Sequence, residues 1–195
     1  PAQVEVDLAV MQADMYTGAC HKWMMAPKGS SFLYVRKELQ HAIDPLVISW
    51  GYESVRPSDS QFLDYHEMQG TRDLSAFCTI PAAVSFMQEH DWGEISAHSR
   101  QLVQEYAPRL CQVLQQEPLT SIDERFIAQM YSARIRTNDP IGLHDLLYNN
   151  YKIQIPVMPH GDQCYIRYSV NAFNTREDLD RLIEALGDMK TKGYL

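Results

Sequence analysis

The stretch Tyr16-Thr-Gly-Ala-Cys-His-Lys-Trp-Met-Met-Ala-Pro-Lys-Gly29 concentrates residue types that can do chemistry. A lysine that forms a Schiff base must be held at a fixed point, partly desolvated, and near a phosphate site. Gly18, just ahead of Lys22, lets backbone approach a ligand closely. His21 can donate to a phosphate, and Trp23 with the turn Pro27-Lys28-Gly29 stiffens the chain beyond the lysine. Taken by itself Lys22 reads as one more surface lysine, and only its neighbours raise it above that.

The elements that position these residues belong to an ordinary globular chain. It has 195 residues, 45% hydrophobic and 22% charged, enough to remove roughly 70% of its unfolded surface from water. That balance excludes a disordered tail or a low-complexity linker. Seventeen Lys+Arg against 25 Asp+Glu give a net charge of −8, which disfavours nucleic acid as a partner. No apolar run approaches the ~20 residues of a membrane span, and no signal peptide opens the chain. Cys20, Cys78, Cys111 and Cys164 are scattered singly, without metal spacing. They read as reduced thiols, and the compartment as cytoplasmic. The chain opens on Pro1 without a methionine and reads as part of something longer.

Strands and helices alternate along it. Ser31–Arg36, β-branched and aromatic, reads as a strand. Lys37–Ala42 is a short helical turn stopped by Asp44-Pro45. Gly51–Met68 reads as loop with at most an edge strand. Residues 73–90 carry apolar residues at helical spacing with a kink expected at Pro81. Asp91 and Glu94 form a capping-box pair opening a second helix, which Pro108 interrupts. Phe126–Ile135 reads as a strand and Ile141–Asn149 as a helix. Tyr151–Val157 and Gln163–Val170 alternate about His160-Gly161-Asp162 as a hairpin. Thr175-Arg-Glu-Asp178 is another capping box, launching the face Leu179, Leu182, Ile183 and Leu186.

The lysine stretch resembles the lysine motif of the class V aminotransferase superfamily, fold-type I pyridoxal-phosphate enzymes. The His-Lys-Trp, the Ala-Pro-Lys-Gly and the strand Phe-Leu-Tyr-Val most resemble its isopenicillin N epimerase-like branch. Gln69-Gly-Thr-Arg-Asp73, Ser75-Ala76 and Pro81-Ala82-Ala83 continue the match in order. Ile166-Arg-Tyr-Ser-Val-Asn-Ala-Phe-Asn-Thr-Arg-Glu-Asp178 closes it. The resemblance implies an α/β fold: the C-terminal part of a PLP-dependent transferase fold. Residues 1–90 would be the end of the large sheet domain with its connecting helix, and 91–195 a small α+β domain. It also implies pyridoxal 5'-phosphate as cofactor, an amino acid as substrate, and a homodimer.

Residue by residue, Lys22 corresponds to the lysine that forms the internal aldimine and shuttles the α-proton. His21 corresponds to a phosphate-side contact. Thr71 corresponds to a threonine that reaches the phosphate of the neighbouring subunit, although it also suits the approach to a helix at Asp73. Arg167 corresponds to the arginine that clamps the substrate carboxylate, where a planar fork fits better than an ammonium. A strand arginine in a surface ion pair is the plainer alternative. The resemblance also implies that Arg167 faces Lys22 across a cleft.

The sequence departs from the pattern at Ala19, where relatives carry a serine or asparagine facing the phosphate, and at Phe173, where the usual residue is tyrosine. Residues 151–161 hold no cysteine where desulfurases of the superfamily place a mobile nucleophile. Cys164 lies within a strand and Cys20 on the lysine's own turn, so persulfide chemistry is disfavoured. The aspartate that pairs the pyridine nitrogen would fall ahead of Pro1, since Asp7 and Asp14 lie too close to Lys22. Three readings stay open on these grounds: part of an epimerase, lyase or aminotransferase; a truncated, non-catalytic fragment; or a binding module retaining Arg167 as an anion site.

Overall fold

The computed structural model describes residues 1–195, which divide into two compact units, Pro1–His90 and Asp91–Leu195. The first is built around an antiparallel hairpin of β1 (Met15–Ala19) and β2 (Ser31–Val35), in register from Met15 opposite Val35 to Ala19 opposite Ser31. A short helix α1 (Leu8–Met11) precedes it, its N-terminus capped by the Asp7 carboxylate. The Asp14–Arg36 ion pair closes the open end of the hairpin. After a 3-10 turn at Lys37–Ala42 come α2 (Gln61–Glu67), α3 (Ser75–Cys78) and α4 (Ile80–Glu89).

Burial in this unit is sparse. Cys20, Ala26 and Val35 are its buried hydrophobic residues, joined by Ser30. Meanwhile Leu46, Val47, Ile48, Trp50 and Val55 are exposed, Trp50 at 82%. Soluble surfaces seldom present so many apolar side chains in one segment without a partner.

The second unit has a full core. The helix α5 (Trp92–Leu114) packs with α7 (Arg176–Thr191) and with a three-stranded antiparallel sheet in the order β3 (Met130–Ile135), β5 (Gln163–Ser169), β4 (Val157–His160). The helix α6 (Pro140–Tyr151) connects β3 to β4. Tyr106, Leu110, Leu147, Ile166, Leu186 and Met189 are among the fully buried side chains. The strands alternate cleanly: Tyr131, Ala133 and Ile135 on β3 and Cys164, Ile166 and Tyr168 on β5 face the core. Thr175 and Asp178 form the capping box that opens α7, each side chain accepting from the other's backbone N–H.

Several local expectations are corrected. Gly51–Met68 contains a helix, α2, capped by the Ser60 hydroxyl; it buries none of its residues, so no apolar stripe announces it. Pro81 does not kink a helix. The helix breaks at Thr79, and Pro81 falls in the first turn of α4, where a missing N–H costs nothing. The Asp91–Glu94 capping box does not form, because Asp91 is left-handed at φ 47° and its side chain caps nothing. Pro108 does not interrupt α5. It lies on the exposed side of the helix, where water can take the carbonyl it frees. The strand expected from Tyr151 begins only at Val157, because α6 ends at Lys152 in the left-handed region and Ile153 N donates back to Leu147 O. The strand expected from Phe126 likewise begins late, at Met130, after a turn in which Phe126 N donates to Asp123 O.

Candidate active site

The Lys22 loop is defined by its two ends. Cys20 N donates to Ser30 O (3.1 Å), continuing the hairpin one step, and Ala26 N returns to Cys20 O (3.0 Å). Cys20, Ala26 and Ser30 are all buried, at 2%, 6% and 2% exposure. Inside the loop Met25 N donates to Lys22 O (3.0 Å), a tight turn that puts Met25 in the left-handed region at φ 59°. The Ser30 hydroxyl bonds Pro27 O, which fixes the next turn. Lys22 therefore has a rigid backbone and an exposed side chain that enters no ion pair.

His21, next to it, is half-buried, and its Nδ1 is buried with no hydrogen-bond partner. Buried polar atoms are normally satisfied, so an unpartnered nitrogen on this loop stands out. That orphan fits a phosphate-bearing cofactor beside Lys22. The loop makes no other use of His21.

Thr71 is exposed, on the loop between α2 and α3, directly after Gly70 at φ 100°. Its neighbours are fastened on both sides. Arg72 Nη1 donates to Gln69 Oε1 (3.2 Å), spanning the Gly70-Thr71 tip. Arg72 Nη2 donates to Gly29 O (3.4 Å), and its guanidinium lies 5.5 Å from the Phe77 ring centre. Downstream, Asp73 Oδ1 accepts from Ser75 N at the start of α3, a hydrogen bond that holds its carboxyl below the usual range. Within the first unit, then, one side chain links the Thr71 loop to the turn beyond the Lys22 loop. The sequence motif contains Arg72, but its reach to a carbonyl far back in the chain is not readable from spacing.

Arg167 lies in the second unit, on β5, opposite Ser132 of β3. Its own N–H donates to Pro156 O. The alternation of β5 sends Cys164, Ile166 and Tyr168 to the core and leaves Tyr165 and Arg167 on the other face. Arg167 enters no ion pair, and its Nε is buried without a partner. The plain alternative of a surface ion pair is absent, and the Nε donor is unused within the protein.

The four cysteines are free thiols. Cys164 is buried in β5, and desolvation pushes its thiol pKa up. The Cys111 sulfur lies 3.1 Å from the Tyr131 hydroxyl in the core. Cys78, on α3, is the exposed one.

The arrangement is a lysine loop on a hairpin unit, followed by a helix-and-sheet unit with an unpaired strand arginine, and its fold is that of the fold-type I pyridoxal-phosphate enzymes. The chain belongs to the aminotransferase class-V family, which it matches over residues 2–182; the cofactor of that family is pyridoxal phosphate. It is 30% identical to the isopenicillin N epimerase of Amycolatopsis lactamdurans, over 97% of this chain and 50% of that protein. Its fold is similar to that of an apo cysteine desulfurase from Thermococcus onnurineus NA1, with a TM-score of 0.79 at 17% identity, covering 98% of this chain and 50% of the other. It is also similar to a lysine-to-alanine mutant of C-DES with glycine covalently linked to its PLP cofactor. There the TM-score is 0.69 at 18% identity, covering 96% of this chain and 49% of the other. The chain spans about half the length of the curated relatives it matches.

Proposed function

We propose that the chain carries the lysine and the carboxylate-binding arginine of a pyridoxal-phosphate enzyme of epimerase, aminotransferase or lyase type acting on an amino acid. The observation that carries this reading is the Lys22 loop, with its locked backbone, free ammonium and orphaned His21 Nδ1. Pro1–His90 is then the C-terminal portion of the large cofactor-binding domain with its connecting helix, and Asp91–Leu195 the small domain.

Pyridoxal phosphate, when bound, supplies an electron sink that lowers the cost of breaking a bond at the Cα of an amino acid. Lys22 is the residue that would bond the cofactor, and its Nζ would carry a proton to and from the substrate Cα. His21 Nδ1 contacts the cofactor on its phosphate side. Thr71 offers its hydroxyl and backbone N–H to the phosphate held by a neighbouring subunit. Arg167 receives the substrate carboxylate through two parallel N–H bonds, which fixes the substrate at a second point. Such positioning supplies several kcal/mol of acceleration, on the order of 7–11 in the best intramolecular cases.

A cysteine nucleophile has no place in this reading. Cys20 and Cys164 are buried, and residues 151–161 contain no cysteine. The exposed apolar segment 46–55 and the Thr71 assignment support a homodimer. Four free thiols support a reducing, cytoplasmic setting. No helix is long and apolar enough to cross a membrane.

The test is chemical. The chain is incubated with pyridoxal phosphate, reduced with borohydride and digested. A phosphopyridoxyl group fixed on Lys22, with a visible absorbance band that vanishes in Lys22→Ala, is the expected result. Label spread evenly over the surface lysines, or no band at all, would refute the assignment and favour a chain that folds without holding the cofactor productively.

A further inference from the structure

We propose that Arg72 is a positioning residue for the phosphate end of the site, locking the Thr71 loop to the turn behind Lys22; this rests on the proposed roles of Lys22 and Thr71. The two loops are far apart in sequence and share no strand or helix. One guanidinium reaches from one to the other. Nη1 meets Gln69 Oε1 at 3.2 Å, Nη2 meets Gly29 O at 3.4 Å, and Cζ lies over the Phe77 ring, 5.5 Å from its centre.

Each of the three partners has a separate consequence. The Gln69 bond closes the segment Gln69-Gly70-Thr71-Arg72 on itself, so that Thr71 stands at the tip of a clamped turn. Gly70 needs that clamp, since at φ 100° it has the widest conformational freedom in the segment. The Gly29 carbonyl belongs to a turn that is itself immobile, because Ser30 is buried, its hydroxyl holds Pro27 O and its carbonyl accepts from Cys20 N. Phe77 ties the guanidinium to α3. Thr71 itself enters no side-chain hydrogen bond, so its hydroxyl is held in place by its neighbours and kept free for a ligand.

Arg72 is exposed, so no single one of these bonds is strong against water. Their value lies in geometry, because a planar fork reaches two acceptors and an aromatic ring together. A lysine ammonium on a flexible stem is a point charge and cannot. Charge alone is therefore not enough for the role.

The experiment measures binding of pyridoxal phosphate and of pyridoxal, which lacks the phosphate, to the wild-type chain, Arg72→Ala, Arg72→Lys and Gln69→Ala. Positioning predicts that Arg72→Ala and Arg72→Lys alike lose roughly tenfold in affinity for pyridoxal phosphate. Pyridoxal binding should be unchanged, and Gln69→Ala should move in the same direction. Hydrogen exchange at the Gly70 and Thr71 amides, measured without cofactor, should quicken in Arg72→Lys while the melting temperature holds. Wild-type affinity in Arg72→Lys would mean that charge suffices, and would overturn the proposal. Equal losses for pyridoxal and its phosphate, or unchanged exchange, would overturn it too. If the wild type is labelled on Lys22 and the Arg72 variants bind as it does, only this inference falls. If the wild type takes no label on Lys22, the proposed function falls and this inference with it.

Discussion

Cys20 and Ala26 are joined by a backbone hydrogen bond of 3.0 Å, and the loop they close carries Lys22. Both end residues are buried, so the loop is pinned where it enters and leaves the protein interior. A lysine used for chemistry needs a fixed Cα and a mobile, unpaired Nζ. Electrostatic partners would give the opposite arrangement, restraining the ammonium and leaving the backbone free. The Lys22 loop spends its hydrogen bonds entirely on backbone.

Lys22→Ala should consequently be silent in stability. The side chain is exposed and enters no ion pair, and surface changes of that kind stay within about 0.5 kcal/mol. Urea unfolding should superimpose on wild type while the borohydride-fixed label at residue 22 is lost. A large drop in the unfolding midpoint would show that Lys22 is structural.

Met25→Val tests the turn itself. Met25 occupies φ 59°, a region that a β-branched side chain adopts only as an outlier, and Met25 N is the donor to Lys22 O. The left-handed conformation costs roughly 1–2 kcal/mol for an L-residue, and valine should add to that. The variant should unfold at lower urea and label Lys22 more slowly. If labelling is as fast as in wild type, the turn does not organise the lysine.

Much of this architecture is legible in the sequence. The strand at Ser31–Val35, the 3-10 turn at Lys37–Ala42 and the capping box at Thr175 all come from local chemistry, and local chemistry is what built them. The misses share a different cause. The helix α2 buries nothing, so its pattern carries no period. Asp91 takes a left-handed conformation that its residue type allows but does not require. Pro108 survives inside α5 because its ring faces solvent, a fact about the helix's orientation and not about proline. At the candidate site, the sequence names the residues proposed for it, but the Arg72 to Gly29 link is not legible there. A hydrogen bond to a backbone carbonyl leaves no mark on the sequence of the acceptor.

The second unit should show a specific acid response. Asp180 is held below the usual carboxylate range first by the Tyr106 hydroxyl, 2.8 Å away, and also by Arg109. A depressed folded pKa stabilises above the unfolded value, about 4 for aspartate, and that contribution is lost as pH falls through the folded pKa. The urea midpoint of the wild type should therefore decline as pH drops below about 4–5. Asp180→Asn keeps an acceptor for Tyr106 but cannot titrate, so its midpoint should decline less steeply. Parallel declines would remove Asp180 from the account.

Arg167→Lys separates substrate binding from cofactor binding. The Arg167 backbone is fixed twice, by its place opposite Ser132 on β5 and by its N–H to Pro156 O. Its Nε is buried without a partner, so the fold gains nothing from that donor and lysine should not lower stability. What lysine loses is the parallel pair of N–H bonds to a carboxylate, because a single ammonium cannot present them in a plane. Hydrogen bonds to charged groups contribute about 1.5–3 kcal/mol each. Loss of one predicts a KM for the amino acid, read from the spectral change of the loaded protein, roughly ten- to a hundredfold higher. Labelling of Lys22 by pyridoxal phosphate should not change, since the contacts proposed for the cofactor lie on His21, Lys22 and Thr71. If Arg167→Lys instead weakened the cofactor and left the amino acid untouched, the arginine would belong to the phosphate and the carboxylate would need another partner.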